Sequence, residues 1–155
     1  MPIIKLSTEI KAPQSLCFDL SRSVELHLQS TQETQERVVA GRTTGFFEEG
    51  DVVTWEAIHF GIRQQLTVKI TKVQHPDFFE DVMLKGAFAN MEHQHYFEEY
   101  GEFTIMRDVF TYRSPLGLLG ILADKLFLEN YMRKFLVKRN DCIKKLAEEQ
   151  FVATL

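Results

Sequence analysis

Residues 91–146 read MEHQHYFEEYGEFTIMRDVFTYRSPLGLLGILADKLFLENYMRKFLVKRNDCIKKL, and their order decides the fold. Two β-rich runs, Met91 to Glu99 and Glu102 to Tyr112, flank Tyr100-Gly101, which reads as a two-residue hairpin loop. Ser114-Pro115-Leu116-Gly117 interrupts the alternation, and from Leu118 to Leu146 the apolar spacing becomes helical. At 100° per residue, Ile121, Leu128, Met132, Phe135, Cys142 and Leu146 share a stripe, flanked by Tyr131 and Ile143. The first half of the helix is apolar on its other side too, through Leu119, Leu122 and Leu126. Asp124, Lys125, Glu129, Arg133 and Lys134 interrupt it too often for a membrane span. An antiparallel sheet followed by such a helix can close over an apolar hollow.

Upstream, Ile3 to Ile10 alternates as a strand, and Pro13 opens a short helix with Leu16, Cys17 and Leu20 inward and Phe18 flanking. A second short helix covers Ser23 to Gln29, with Ser21 or Ser23 as N-cap. Glu36–Ala40, Asp51–His59, Ile62–Val73 and Phe78–Lys85 then read as strands joined by short turns, an antiparallel meander. With Phe60-Gly61 as a two-residue loop, His59 pairs with Ile62, Ala57 with Gln64, Trp55 with Leu66 and Val53 with Val68. That register makes one face apolar on both strands. In the last hairpin, Tyr100-Gly101 as the loop pairs Phe97 with Thr104, His95 with Met106, His93 with Asp108 and Met91 with Phe110. The opposite face is the more charged, so the histidine-bearing face points inward.

The chain has 155 residues, 45 % apolar and 26 % charged, which suits one soluble domain with a sizeable core. Phenylalanine is abundant, 13 copies against one tryptophan, consistent with either a thick core or a lined cavity. A net charge of −4 without a basic stripe argues against nucleic acid as a partner. The start, Met1-Pro2-Ile3-Ile4-Lys5, has no signal-peptide pattern, and Cys17 and Cys142 have no metal or disulfide spacing, so a cytoplasmic protein with free thiols is expected.

Several segments carry a family resemblance: Val53-Thr54-Trp55-Glu56-Ala57 with His59-Phe60-Gly61, Leu66 to Thr71, Gly86-Ala87-Phe88, and His93-Gln94-His95-Tyr96-Phe97-Glu98. Asp108 with Tyr112, and Pro115-Leu116-Gly117 leading to Arg139-Asn140, complete the set. With the β-α-α, six-strand, long-helix order, the chain resembles the START-like or Bet v 1-like superfamily, the polyketide cyclase/dehydrase and lipid transport (SRPBCC) group. Bacterial SRPBCC ligand-binding proteins are the nearest resemblance. It implies an α+β helix-grip fold: a curved antiparallel sheet wrapped around a long C-terminal helix, with two short helices after the first strand. One domain would span 1–150, with 151–155 as a tail. Members bind lipids, sterols, hormones or polyketides, and some catalyse cyclisation. They share no catalytic motif, so no catalytic residue carries over.

The expected cavity takes Trp55, His59, Gln64 and Leu66 from one hairpin. The other hairpin adds Met91, His93, His95, Met106, Asp108 and Phe110, and the last helix adds Leu128, Met132, Phe135 and Arg139. His93 and His95 stand about 7 Å apart along a strand face, with Asp108 opposite His93. A carboxylate there fixes a histidine tautomer and raises its pKa. The group reads in three ways: a self-satisfied buried pair, a set that orients a ligand's carbonyl or hydroxyl, or a general base with its orienter. A histidine pair at this spacing holds a metal only if a third ligand such as His59 converges, and none is expected; nor is a cofactor. Arg139 either snorkels to the rim or meets Asp108 or a ligand carboxylate, while Asp124 points to solvent. Gly117, Gly120 and the leucines beside them sit where a mouth would open.

No nucleotide-binding loop, HExxH, nucleophile elbow or paired-carboxylate motif is present. The expected function is binding or transport of a hydrophobic small molecule between the sheet and the last helix. A cyclase/dehydrase-type enzyme using His93 or His95 with Asp108 is the alternative. A protein- or membrane-contact module using the apolar helix start is the second.

Overall fold

The computed structural model describes every residue, Met1 to Leu155. β1 (Ile3–Ile10) is followed by α1 (Gln14–Ser21) and α2 (Val24–Ser30), then β2 (Arg37–Ala40) and β3 (Val52–His59). Next come β4 (Ile62–Gln74), β5 (Phe78–Lys85), β6 (Asn90–Tyr100) and β7 (Phe103–Arg113). A continuous C-terminal helix closes the chain: α3 (Leu118–Ala123), a π-helical turn (Asp124–Leu128) and α4 (Glu129–Ala153). It thus runs past Leu146 and takes in the start of the expected tail. The strands form one seven-stranded antiparallel sheet in the order β1-β7-β6-β5-β4-β3-β2. This is the helix-grip arrangement. No helix is long and apolar enough to cross a membrane.

Local chemistry explains the elements. Ser23 caps α2 by accepting from the Leu26 amide. The β3–β4 pairing is as expected, His59 to Ile62 through Val53 to Val68. Both loop residues, Phe60 (φ 53°) and Gly61 (φ 72°), take the positive φ of a type I′ turn.

The β6–β7 register differs from expectation. Tyr100 pairs with Phe103, so the loop is Gly101-Glu102, and Phe97 faces Met106, His95 faces Asp108, His93 faces Phe110 and Met91 faces Tyr112. Gly101 (φ 59°) holds the first central position, where a type II′ turn calls for glycine. The slip is two residues. Because side chains alternate with period two, every inner residue stays inner.

The helix phase differs as well. The Glu129 amide bonds the Asp124 carbonyl, five residues back. That turn holds one extra residue and rotates everything before it by about 100° relative to α4. Ile121 therefore swings out to 52 % exposure, and Asp124, expected in solvent, swings in to 7 %. The buried stripe of α4 is Leu136, Arg139, Asn140, Ile143 and Ala147, with Leu128, Met132 and Phe135 packed half-buried above it.

Two apolar clusters result. One packs α1 and the later turns of α4 against β5, β6 and β7: Cys17, Phe18, Phe79, Phe97, Met106, Ile143 and Ala147. Phe18, expected at the flank, is its centre, with edge contacts to Phe79 and Phe97 at 5.5 and 5.2 Å. Burial pushes the Cys17 thiol up to about 11, which leaves it unreactive. The other cluster, around Trp55, Val68, Met91, Phe110 and Leu136, surrounds empty space.

Candidate functional site: a cavity with a polar floor

That space is a cavity of about 410 Å³ between the inner face of the sheet and the C-terminal helix. Trp55, Leu66, Met91 and Phe110 on the strands, and Leu128, Met132 and Phe135 on the helix, form its apolar wall. Pro115, Leu116, Leu119 and Phe127 stand at its mouth, where Leu116 and Leu119 are largely exposed. Gly120 is what lets the helix start lean against the preceding turn: a Cβ there would meet the Pro115 carbonyl oxygen at 2.2 Å.

The polar groups gather in two places. In the upper wall His59 Nδ1 and the Tyr131 hydroxyl are 2.6 Å apart, and burial lowers the histidine pKa. Gln64 lies beside them, its amide 3.5 Å from the His59 carbonyl. His27 stacks on Trp55 at 4.0 Å and meets Glu36 at 2.8 Å.

The floor is richer. His93 Nε2 and Asp108 Oδ1 are 2.8 Å apart, and His95 Nε2 and Asp81 Oδ2 are 3.0 Å apart. His95 Nδ1 stands 3.1 Å from the same Asp108 oxygen, without hydrogen-bond alignment. Asn140 Nδ2 donates to Asp108 Oδ2 at 2.6 Å, and Arg139 donates to Asn140 and to the Ser21 carbonyl. The two imidazoles lean together to 3.8 Å between ring centres, well inside their backbone spacing.

Charge follows from these contacts. Burial, with the neighbouring His95, drives the His93 pKa down to about 4. Burial alone would raise the Asp108 carboxyl. The hydrogen bond from His93, the close approach of His95 and the Arg139 charge overcome it and hold that carboxyl well below its usual range. Asp81 is likewise lowered, its desolvation outweighed by the His95 bond and the nearby Arg139 charge. The floor is therefore a set of anions held by fixed donors.

Twelve of the fourteen expected lining residues border the cavity: Trp55, His59, Gln64, Leu66, Met91, His93, His95, Phe110, Leu128, Met132, Phe135 and Arg139. Met106 and Asp108 do not. Met106 belongs to the filled cluster, and Asp108 is sealed behind the histidines with no exposed surface. Asp108 faces His95 across the strands and reaches diagonally to His93, instead of lying opposite His93 as expected. Arg139 is 7 % exposed and does not snorkel. Asp124 accepts from the Ser114 hydroxyl at the mouth.

Two floor residues escaped the sequence reading. Asp81 pairs with His93 across β5–β6 and shares its strand face with Phe79, an alternation that could have marked it. Asn140 falls in step with Leu136 and Ile143, a polar residue on an apolar helical stripe.

No protein-family model and no curated protein matches the sequence. Solved structures do match. The protein TTHA0849 from Thermus thermophilus superposes with a TM-score of 0.76 at 20 % identity, over 99 % of each chain. A START superfamily protein from Mycobacterium smegmatis gives 0.71 at 13 % identity, over 96 % of this chain and 98 % of the other. The major latex-like protein 151 of Panax ginseng gives 0.69 at 16 % identity, over 94 and 97 %. With its sheet order and gripped helix, the chain has the START/Bet v 1-like fold.

Proposed function

We propose that the protein binds a hydrophobic small molecule with one polar end, as a carrier or sensor. The observation that supports this is the cavity. Its volume, about 410 Å³, falls in the range that encloses a small organic ligand, and its walls are mostly apolar with polar groups at defined points. The apolar body would lie against Trp55, Met91, Phe110 and Phe135, and the polar end would meet Asp81 and His95 on the floor. Lipids, sterols and polyketides are the ligand classes that the family resemblance implies. Burial at roughly 25 cal/mol per Å² would drive binding, less the cost of ordering the ligand. A general base works best with a pKa near the working pH. His93, held at about 4, is better suited to orienting a ligand than to taking its proton.

Native mass spectrometry of freshly purified protein, before and after organic extraction, tests this reading. A discrete added mass that extraction removes is the expected result. A bare chain mass, unchanged after incubation with fatty acids, sterols and aromatic polyketides, would overturn it.

The rim supports a second, compatible reading. Leu116, Leu118, Leu119, Leu122 and Leu126 are all more than half exposed around the mouth. Such a patch fits transient contact with a lipid surface during ligand exchange. Leu119→Asp is expected to abolish co-sedimentation with phosphatidylcholine vesicles while the cavity still fills; undiminished co-sedimentation would end this reading.

A further inference from the structure

We infer that Asp81, His93 and His95 form a binding site for one divalent first-row transition-metal ion, at the floor of the cavity. This goes beyond ligand carriage and does not depend on it. One donor atom from each of the three residues lies within 4.8 Å of the other two. Two imidazoles and one carboxylate are a donor set suited to zinc or ferrous iron, whereas calcium and magnesium prefer oxygen alone. His59, the third ligand considered from the sequence, is engaged with Tyr131, and Asp81 takes its place.

The surroundings are those a metal site requires. A ligating histidine normally gives its other ring nitrogen to a carboxylate, which fixes the tautomer and aims the lone pair. Asp108 stands behind both rings: His93 Nε2 at 2.8 Å and His95 Nδ1 at 3.1 Å from the same oxygen. Bonding Asp108 through Nε2–H leaves His93 Nδ1 with its lone pair. His95 Nδ1 lacks an aligned partner here. With a metal on Nε2, its proton would sit on Nδ1, facing Asp108. Asp108 is in turn fixed by Asn140, so the outer shell is already built.

The ion would replace the proton between His95 Nε2 and Asp81 Oδ2. Donors around a tetrahedral zinc stand about 3.3–3.5 Å apart, so the 3.0 Å contact would open slightly while the two imidazoles, now 3.8 Å apart between ring centres, spread to aim at one ion. All three residues border the cavity, so the remaining coordination positions would open toward it. The site would thus take a ligand oxygen: a carboxylate, a hydroxyl or a carbonyl.

The test uses the full chain, stripped with chelator and titrated calorimetrically with zinc chloride at neutral pH, without organic ligand. One zinc per chain is expected, with a dissociation constant below about 10 µM. His95→Ala and Asp81→Asn should each weaken it at least about 100-fold, and Asp108→Asn about 10- to 100-fold at unchanged stoichiometry. The surface variant His75→Ala should leave it unchanged. If His95→Ala fails to fold, Asp81→Asn carries the test, because it preserves shape at a less buried position. No heat of binding, or binding that survives Asp81→Asn undiminished, would overturn the proposal.

Discussion

The molecule has a filled end and a hollow end, made from the same sheet and the same helix. At the filled end α1 inserts a third layer, and Phe18 closes the space among Phe79, Phe97 and Ile143. At the hollow end α2 reaches the sheet through His27 stacked on Trp55, yet Met132 and Phe135 still face Trp55, Leu66 and Met91 across the cavity. Both ends are rich in large apolar side chains, so composition does not separate them. The polar floor lies between. Asn140 and Arg139 on α4 meet Asp108 on β7, tying helix to sheet where filled core gives way to open space. The contrast teaches that a cavity of this kind depends on what pins its walls as much as on what lines them.

The sharpest way to break the comparison is to truncate one side chain at each end. Phe97→Ala should cost about 3–5 kcal/mol, because it opens a void in a close-packed cluster. Met132→Ala should cost no more than about 1.5 kcal/mol, since its side chain already borders empty space. Urea unfolding of both variants checks this. Equal losses would mean that the hollow end packs as tightly as the filled one.

Removing the pin comes next. Asp108→Asn should cost about 3 kcal/mol, because Arg139 loses its buried counter-charge and His93 its carboxylate acceptor. The hollow end should loosen first. Amide exchange in β6 and α4 near Asn140 should accelerate by more than in α1, and uniform acceleration would contradict the pinning role.

The smallest effect concerns acid. Glu56 lies on the outer side of β3 and receives Gln65 from β4 and Arg37 from β2. Those bonds lower its carboxyl from 4.5 to about 2. A depressed carboxyl stabilises the fold above its unfolded pKa and loses that contribution as pH falls through the folded value. Glu56→Gln should therefore narrow the stability difference between pH 5 and about pH 2. Acid melting curves identical to those of the parent would assign Glu56 no such role.

Much of this is legible in the sequence. The order of elements, the apolar face of β3–β4 and the inward histidines all follow from alternation, a local property that survives a two-residue slip. The misreadings have local causes of a different kind. In the last hairpin the glycine belongs at the first loop position and not the second, a choice between turn types that strand patterning does not make. On the helix, the π-helical turn shifts Asp124 inward and Ile121 outward, because one added residue rotates a face that was read with a constant step. Asp81 is easily overlooked because the inner face of β5 mixes Phe79 with an acid. Asn140 is overshadowed by Arg139 beside it, the more conspicuous polar residue on the stripe.

By itself, then, the sequence determined which side chains point inward along each strand and that one long helix must cover them, since those are consequences of backbone periodicity. Tertiary structure alone decided that Asp108 closes behind both histidines, that Asp81 meets them from the next strand, and that about 410 Å³ stays open beside a filled core. Those outcomes depend on the separation of helix and sheet and on diagonal reach between strands, and such distances arise only when distant segments pack together.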